Sequence, residues 1–121
     1  MSEANQAHHV PRLNFGDEFD IADGVTVWPI AFPHDLAHPP FESTVFIIEP
    51  GKCSPPDSHA VEETWVILKG AGRLDYDGQS MRLSGGDKVF FPSHRTHQVT
   101  NDADGPLEIL SIYWEPHAQN A

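Results

Sequence analysis

Residues 51–70 read GKCSPPDSHAVEETWVILKG, and their second half sets the pattern for the whole chain. From Glu62 to Lys69 the residues EETWVILK suit a strand. On it Glu63, Trp65 and Ile67 share one face, because side chains on extended backbone alternate sides. Working outward, similar short runs recur at 25–31 (VTVWPIA), 44–49 (TVFIIE), 71–76 (AGRLDY), 79–84 (QSMRLS), 87–91 (DKVFF), 96–100 (THQVT) and 107–115 (LEILSIYWE). Between two of them stands Asp77-Gly78, a strong hairpin signal, since both central residues tolerate positive φ. Gly70 and Gly72 permit a reversal after Lys69, Gly85-Gly86 permit another before Asp87, and Pro92 ends a strand because it has no N–H for the ladder. With 9 glycines and 11 prolines in 121 residues, long helices do not survive, and no stretch shows clean helical periodicity. Eight short strands at this spacing predict an all-β sandwich or closed barrel.

Length predicts one domain burying roughly two-thirds of its unfolded surface. Residues 15–117 are read as that domain, 1–14 as a flexible N-terminal arm and 118–121 as a C-terminal tail. A formal charge of −11 excludes nucleic acid and anionic membranes as natural partners, since no basic patch offsets it. One cysteine, Cys53, excludes an internal disulfide and a cysteine-based zinc site. No apolar run reaches a membrane span of about 18 residues, and the first residues lack the apolar core of a signal peptide. A cytoplasmic protein is expected. The run VTVWPIAF carries more apolar surface than one exposed strand should show, which predicts a homodimer.

Chemistry concentrates in Asp57, His59 and Glu63, at spacings of two and four, and in His97 further on. If the stretch is extended, 57, 59 and 63 share a face. Two imidazoles and two carboxylates converging on one point form a first shell for a divalent metal. Trp65 and Ile67 beside Glu63, with Val99 and Asn101 beside His97, line the site as a small-molecule pocket.

Two motifs resemble those of the cupins. Gly51-x5-Asp57-x-His59-x3-Glu63-x6-Gly70 is similar to that family's first motif, G-x5-H-x-H-x3-4-E-x6-G. Gly86-x5-Pro92-x-His94-x2-His97-x3-Asn101 is similar to its second, G-x5-P-x-G-x2-H-x3-N. The resemblance implies a double-stranded β-helix, or jelly-roll barrel, with a metal in its bore. It also implies His59, Glu63 and His97 as ligands, with Asp57 where the family has its first histidine. Cupins commonly bind Fe, Mn, Ni or Zn, and many form dimers. Their functions range from dioxygenases, isomerases, decarboxylases and lyases to non-catalytic binders, so the fold alone assigns none.

Two positions depart from the pattern. Asp57 offers oxygen in place of nitrogen. With Glu63 it would neutralise a divalent ion and favour Fe(II) or Mn(II), with Zn or Ni as alternatives. It either coordinates directly, binds through water, or only caps a turn after Pro55-Pro56. His94 replaces glycine; it is either a proton donor at the pocket mouth or a surface residue, and it is costly if the backbone there has positive φ. Tyr113 and Trp114 alternate, so one should enter the bore. Tyr113 is taken with His94 as a candidate catalytic residue. Phe90 and Phe91 read as core, and Cys53 as a small apolar filler. Arg73, Arg82 and Arg95 read as surface residues; Arg73 or Arg82 turned inward would mark a carboxylate-bearing substrate. Residues 32–43, with His34, His38 and three prolines, form a lid or a surface loop. The function expected is a metal-dependent enzyme on a small organic substrate, an oxygenase first and an isomerase or lyase second. The alternative is a non-catalytic small-molecule binder or sensor.

Overall fold

A computed structural model describes residues 10–35 and 37–117; the N-terminal histidines at 8 and 9 and the expected tail at 118–121 lie outside the described residues. Every regular element among them is a strand. They are β1 (Asn14–Phe15), β2 (Phe19–Ala22), β3 (Val25–Ala31), β4 (Glu42–Ile48), β5 (Glu62–Lys69), β6 (Ala71–Tyr76), β7 (Gln79–Ser84), β8 (Lys88–Phe91), β9 (His97–Thr100) and β10 (Leu107–Trp114). All eight expected strands are present, four with the expected ends and four with an end shifted by one or two residues. Two further strands, β1 and β2, come from a region too short and polar to show periodicity.

A seven-stranded sheet runs β1-β3-β4-β10-β5-β8, with β2 also paired to β3, and a three-stranded sheet runs β7-β6-β9. The core joins both. Val25, Val27, Phe46, Ile48, Trp65, Ile67, Phe91, Leu107 and Ile109 come from the large sheet, and Leu74, Leu83 and Val99 from the small one. This is the jelly-roll architecture expected. On β5 the alternation is clean: Glu63, Trp65 and Ile67 are buried, and the residues between them are less so.

The turns follow the backbone logic. Asp77 and Gly78 have φ of 51° and 87°, as the hairpin requires, and Gly70 and Gly86 also lie in the left-handed region. Gly72 has a different reason from the reversal expected of it. It sits inside β6, where a Cβ would lie 2.7 Å from the Thr100 carbonyl oxygen and 2.9 Å from Leu107 Cδ2. Close approach of strands, not turn geometry, requires glycine there.

Two side-chain expectations are corrected. Phe91 is buried but Phe90 is half exposed, because alternation on β8 sends it outward to stack on Trp114 at 6.3 Å. Cys53 is exposed and fills no gap in the core. Its segment instead runs along β9, bridging Cys53 to Thr100 and Asp57 to His97, so residues 51–57 extend the small sheet irregularly. No helix of the described residues is long and apolar enough to cross a membrane.

Candidate metal centre

Glu63 sits at the centre of the site. Its Oε1 lies 2.9 Å from His59 Nε2 and 3.2 Å from His97 Nε2. Its other oxygen accepts hydrogen bonds from the Trp65 indole N–H at 2.8 Å and from the Ser111 hydroxyl. The register explains the convergence: β10 lies beside β5 with Ser111 opposite Trp65 and Tyr113 opposite Glu63, so all four face inward together. Burial alone would raise the Glu63 pKa. The hydrogen bonds from His97, Ser111 and Trp65 outweigh it and hold the carboxyl at about 2, so Glu63 is a permanent anion.

Both imidazoles are aimed by backbone. His59 Nδ1 lies 3.0 Å from the Val61 carbonyl and His97 Nδ1 lies 3.0 Å from the Arg95 carbonyl. A carbonyl only accepts, so each Nδ1 carries a hydrogen and each ring turns its Nε2 to Glu63, as a lone pair available to a metal ion or, at His97 in the metal-free protein, as an N–H that donates to the carboxylate. His97 is further fixed by stacking on Phe91, with centroids 4.1 Å apart and planes 6° from parallel, and by the edge of Trp65. Burial lowers its pKa, but the Glu63 carboxylate and the Arg95 carbonyl more than compensate, and the net shift is upward.

Asp57 enters from the opposite sheet. Its amide donates to the His97 carbonyl at 3.0 Å, and its carbonyl accepts the reciprocal bond from the His97 amide at 2.9 Å. That pair of bonds sets the two residues directly across from each other. Asp57 Oδ2 lies 3.7 Å from His59 Nε2. One ligand atom from each of Asp57, His59 and His97 falls within 4.8 Å of the others, a grouping able to hold a metal ion.

The donor chemistry fits a cation. Two nitrogen lone pairs and a carboxylate oxygen directed at one point repel unless positive charge lies among them, supplied by a proton or a metal ion. Neighbouring donors about 2.1 Å from a shared ion in octahedral geometry stand about 3 Å apart, close to the separations around Glu63 Oε1. A cavity of about 210 Å³ opens beside these donors, lined by Asp57, Glu63, His97, Thr44, Ser54, Ser111 and Tyr113. Its apolar lining is Phe19, Ile21, Val27, Phe46, Pro55 and Trp65.

Residues 44–113, more than half of the chain, match the cupin-domain family. The chain belongs to the cupins. It is 30% identical over 57 residues to an uncharacterized protein of Methanocaldococcus jannaschii, a match covering 47% of this chain and 46% of that protein. It is 37% identical over 54 residues to a mannose-1-phosphate guanylyltransferase of Escherichia coli, covering 45% of this chain and 12% of the enzyme. This cupin therefore spans less than half the length of the curated relatives it matches. Among solved structures it resembles a Cupin 2 conserved barrel domain protein from Salinispora arenicola, with a TM-score of 0.72 and 24% identity over 88% of each chain.

The two departures from the cupin motifs behave differently. Asp57 joins the donors. His94 has φ of 64°, the left-handed conformation that glycine adopts freely, and its exposed ring is not among the residues lining the cavity. Its amide, however, donates to the His59 carbonyl at 2.7 Å and so fixes the loop that carries a donor histidine. Tyr113 lines the cavity, whereas Trp114 packs outside and donates to Glu62 at 3.0 Å. Burial, with help from the Glu42 and Glu63 charges, raises the Tyr113 pKa and keeps its phenol neutral. Sequence reasoning missed Ser111 and the mouth residues Phe19 and Ile21. Ser111 had a signal, a lone small polar residue at an inward position of LEILSIYW.

Proposed function

We propose that this cupin binds a divalent metal through His59, Glu63, His97 and Asp57, and acts as a metal-dependent enzyme on a small organic molecule. The observation that carries the reading is the pair of Nε2 atoms, each aimed by a backbone carbonyl, meeting one oxygen of a permanently ionised glutamate. Outer partners of this kind orient metal-binding histidines and fix their tautomers.

Two anionic oxygens and two imidazoles favour Fe(II) or Mn(II), ahead of Zn or Ni. When bound, such an ion supplies Lewis acidity or access to oxygen chemistry next to the cavity. Oxygenase activity ranks first, isomerase or lyase activity second. Direct coordination by Asp57 is favoured by its two backbone bonds to His97, which bring its short side chain to the donors. The neutral Tyr113 phenol donates a hydrogen bond to substrate rather than accepting a proton from it. A binding role without turnover has one observation in its favour: the exposed ring of His94 lies off the cavity lining, so the wall that holds Tyr113 carries no histidine besides the donor His97.

The purified protein tests this directly. Metal analysis should return one equivalent of a redox-active divalent ion, lost in His59→Ala and His97→Ala. Oxygen uptake with a turned-over substrate supports the oxygenase. A protein that retains its metal in both histidine variants sinks the reading. Asp57→Ala should weaken metal binding as a lost ligand does, and unchanged affinity would mean that Asp57 acts only through water. A homodimer is part of the proposal, supported by the exposed apolar side chains of Leu13, Phe15, Phe19 and Ile21 at one end. Sedimentation at micromolar concentration should show twice the 13.4 kDa chain mass.

A further inference from the structure

The cavity beside the donors has an unusual charge inventory. The chain has seven lysines and arginines, all among the described residues, and none lines the cavity. Four of them are held outside by carboxylates: Lys52 by Asp23, Arg73 by Asp75, Arg82 by Asp102 and Arg95 by Asp77. The lining holds two carboxylates, Asp57 and Glu63, and one imidazole, His97. A divalent ion neutralises the two carboxylates and leaves no surplus positive charge for an anionic ligand. Sites that recognise carboxylates or phosphates place an arginine or lysine against them, and this wall has neither.

Much of its polarity is also already engaged. The Trp65 indole and the Ser111 hydroxyl donate to Glu63, and Ser54 Oγ accepts from the Val99 amide. The described residues supply no partner for the hydroxyls of Thr44 and Tyr113, so these remain to meet a ligand. The remaining wall is apolar and half aromatic: Phe19, Ile21, Val27, Phe46, Pro55 and Trp65. An apolar cavity of about 150 Å³ accommodates benzene. At about 210 Å³, this one has room for a single ring with one or two small substituents.

From this lining we infer that the ligand is an uncharged single-ring molecule bearing a hydroxyl or carbonyl oxygen, and that the site rejects small carboxylates and phosphates. The ring lies against Phe46 and Trp65, and the oxygen turns toward the donor cluster and the Tyr113 phenol. The inference rests on the metal-site reading for where that oxygen points, and on the wall alone for its charge preference.

Three probes test it: phenol, benzoate and mannose 1-phosphate, titrated against metal-loaded protein of measured metal content while Trp fluorescence and heat are followed. Phenol should saturate and perturb the Trp65 emission, with both anions at least about tenfold weaker. Removing the metal with a chelator should widen that gap, because the two carboxylates are then uncompensated. Ile21→Arg places a guanidinium at the mouth, at a position exposed enough to leave the core intact. It should shift the ratio of benzoate to phenol affinity about tenfold or more toward benzoate. Equal or tighter binding of either anion by the unmodified protein overturns the inference, as does an absence of phenol binding. Protein that takes up no metal on loading yet prefers phenol would overturn the metal reading alone, so the two failures are distinct.

Discussion

Two regions of this barrel hold carboxylates against nitrogen-bearing side chains at nearly the same distance and put them to different uses. On the rim of the small sheet, Asp77 meets Arg95 at 2.8 Å with both side chains about half exposed. In the bore, Glu63 meets His59 at 2.9 Å with only 11% of its side chain exposed. Water screens the first pair and competes for both partners, so an interaction of this kind contributes about 0–1 kcal/mol. The second is walled by Trp65, Ser111 and His97, so each unmet group there costs its full desolvation. Proximity is shared between the regions; solvent exclusion separates them.

Removing the buried donors should give the largest effects. His97→Ala takes away a nitrogen donor and the ring stacked on Phe91, and should weaken metal binding by more than the roughly 100-fold typical of losing merely an outer partner. Metal titration of the variant checks it, and near-unchanged affinity would erase the contrast with the rim. Glu63→Ala in chelated protein leaves Trp65 and Ser111 donors without an acceptor and should cost about 3 kcal/mol in urea unfolding.

Stability against pH sharpens the same contrast in metal-free protein. Glu63 titrates at about 2 when folded against 4.5 ordinarily, so its contribution of about 3 kcal/mol is complete above pH 4.5 and is lost as pH falls toward 2. His97 is shifted upward, so its contribution is complete below its ordinary 6.5 and is lost as pH rises through the higher folded value. Chelated protein should therefore be most stable between about pH 4.5 and 6.5. A stability still rising across pH 7 to 8 would show that His97 does not carry the proton.

Smaller effects belong to the rim. His94→Gly relieves a left-handed backbone and keeps the amide bond to His59, so it should stabilise by about 1 kcal/mol and leave metal affinity unchanged. Arg82→Ala breaks an exposed pair with Asp102 and should change stability by no more than about 0.5 kcal/mol. A loss of several kcal/mol there would make the rim resemble the bore.

The strands that carry the site were legible because each announces itself locally. Glu63 alternates with Trp65 and Ile67, and Asp77-Gly78 fixes a hairpin. The expected extended run from 57 to 63 is instead broken by a bend at 60–61, and that bend brings His59 within 2.9 Å of Glu63. What was not legible depends on partners distant in the chain. Phe90 and Phe91 are equally apolar, and only the pairing of β8 with β5 decides which one turns inward. The strand Phe19–Ala22 is too short for periodicity and exists because β3 offers it an edge. His94 looked like chemistry by residue type, whereas its structural contribution runs through its amide.

Gly72 shows how far the site extends. The glycine has no polar side chain and lies among apolar neighbours, yet the atom that a Cβ would strike is the carbonyl of Thr100, three residues beyond His97 on the same short strand. Thr100 is also the residue to which Cys53 is bridged, on the segment that delivers Asp57. A single methyl group at position 72 would push that strand outward and displace two donors together. The mutational tolerance of this barrel is therefore uneven in a way that chemical character does not forecast: position 73 can drift among many residues, and its neighbour is confined to one.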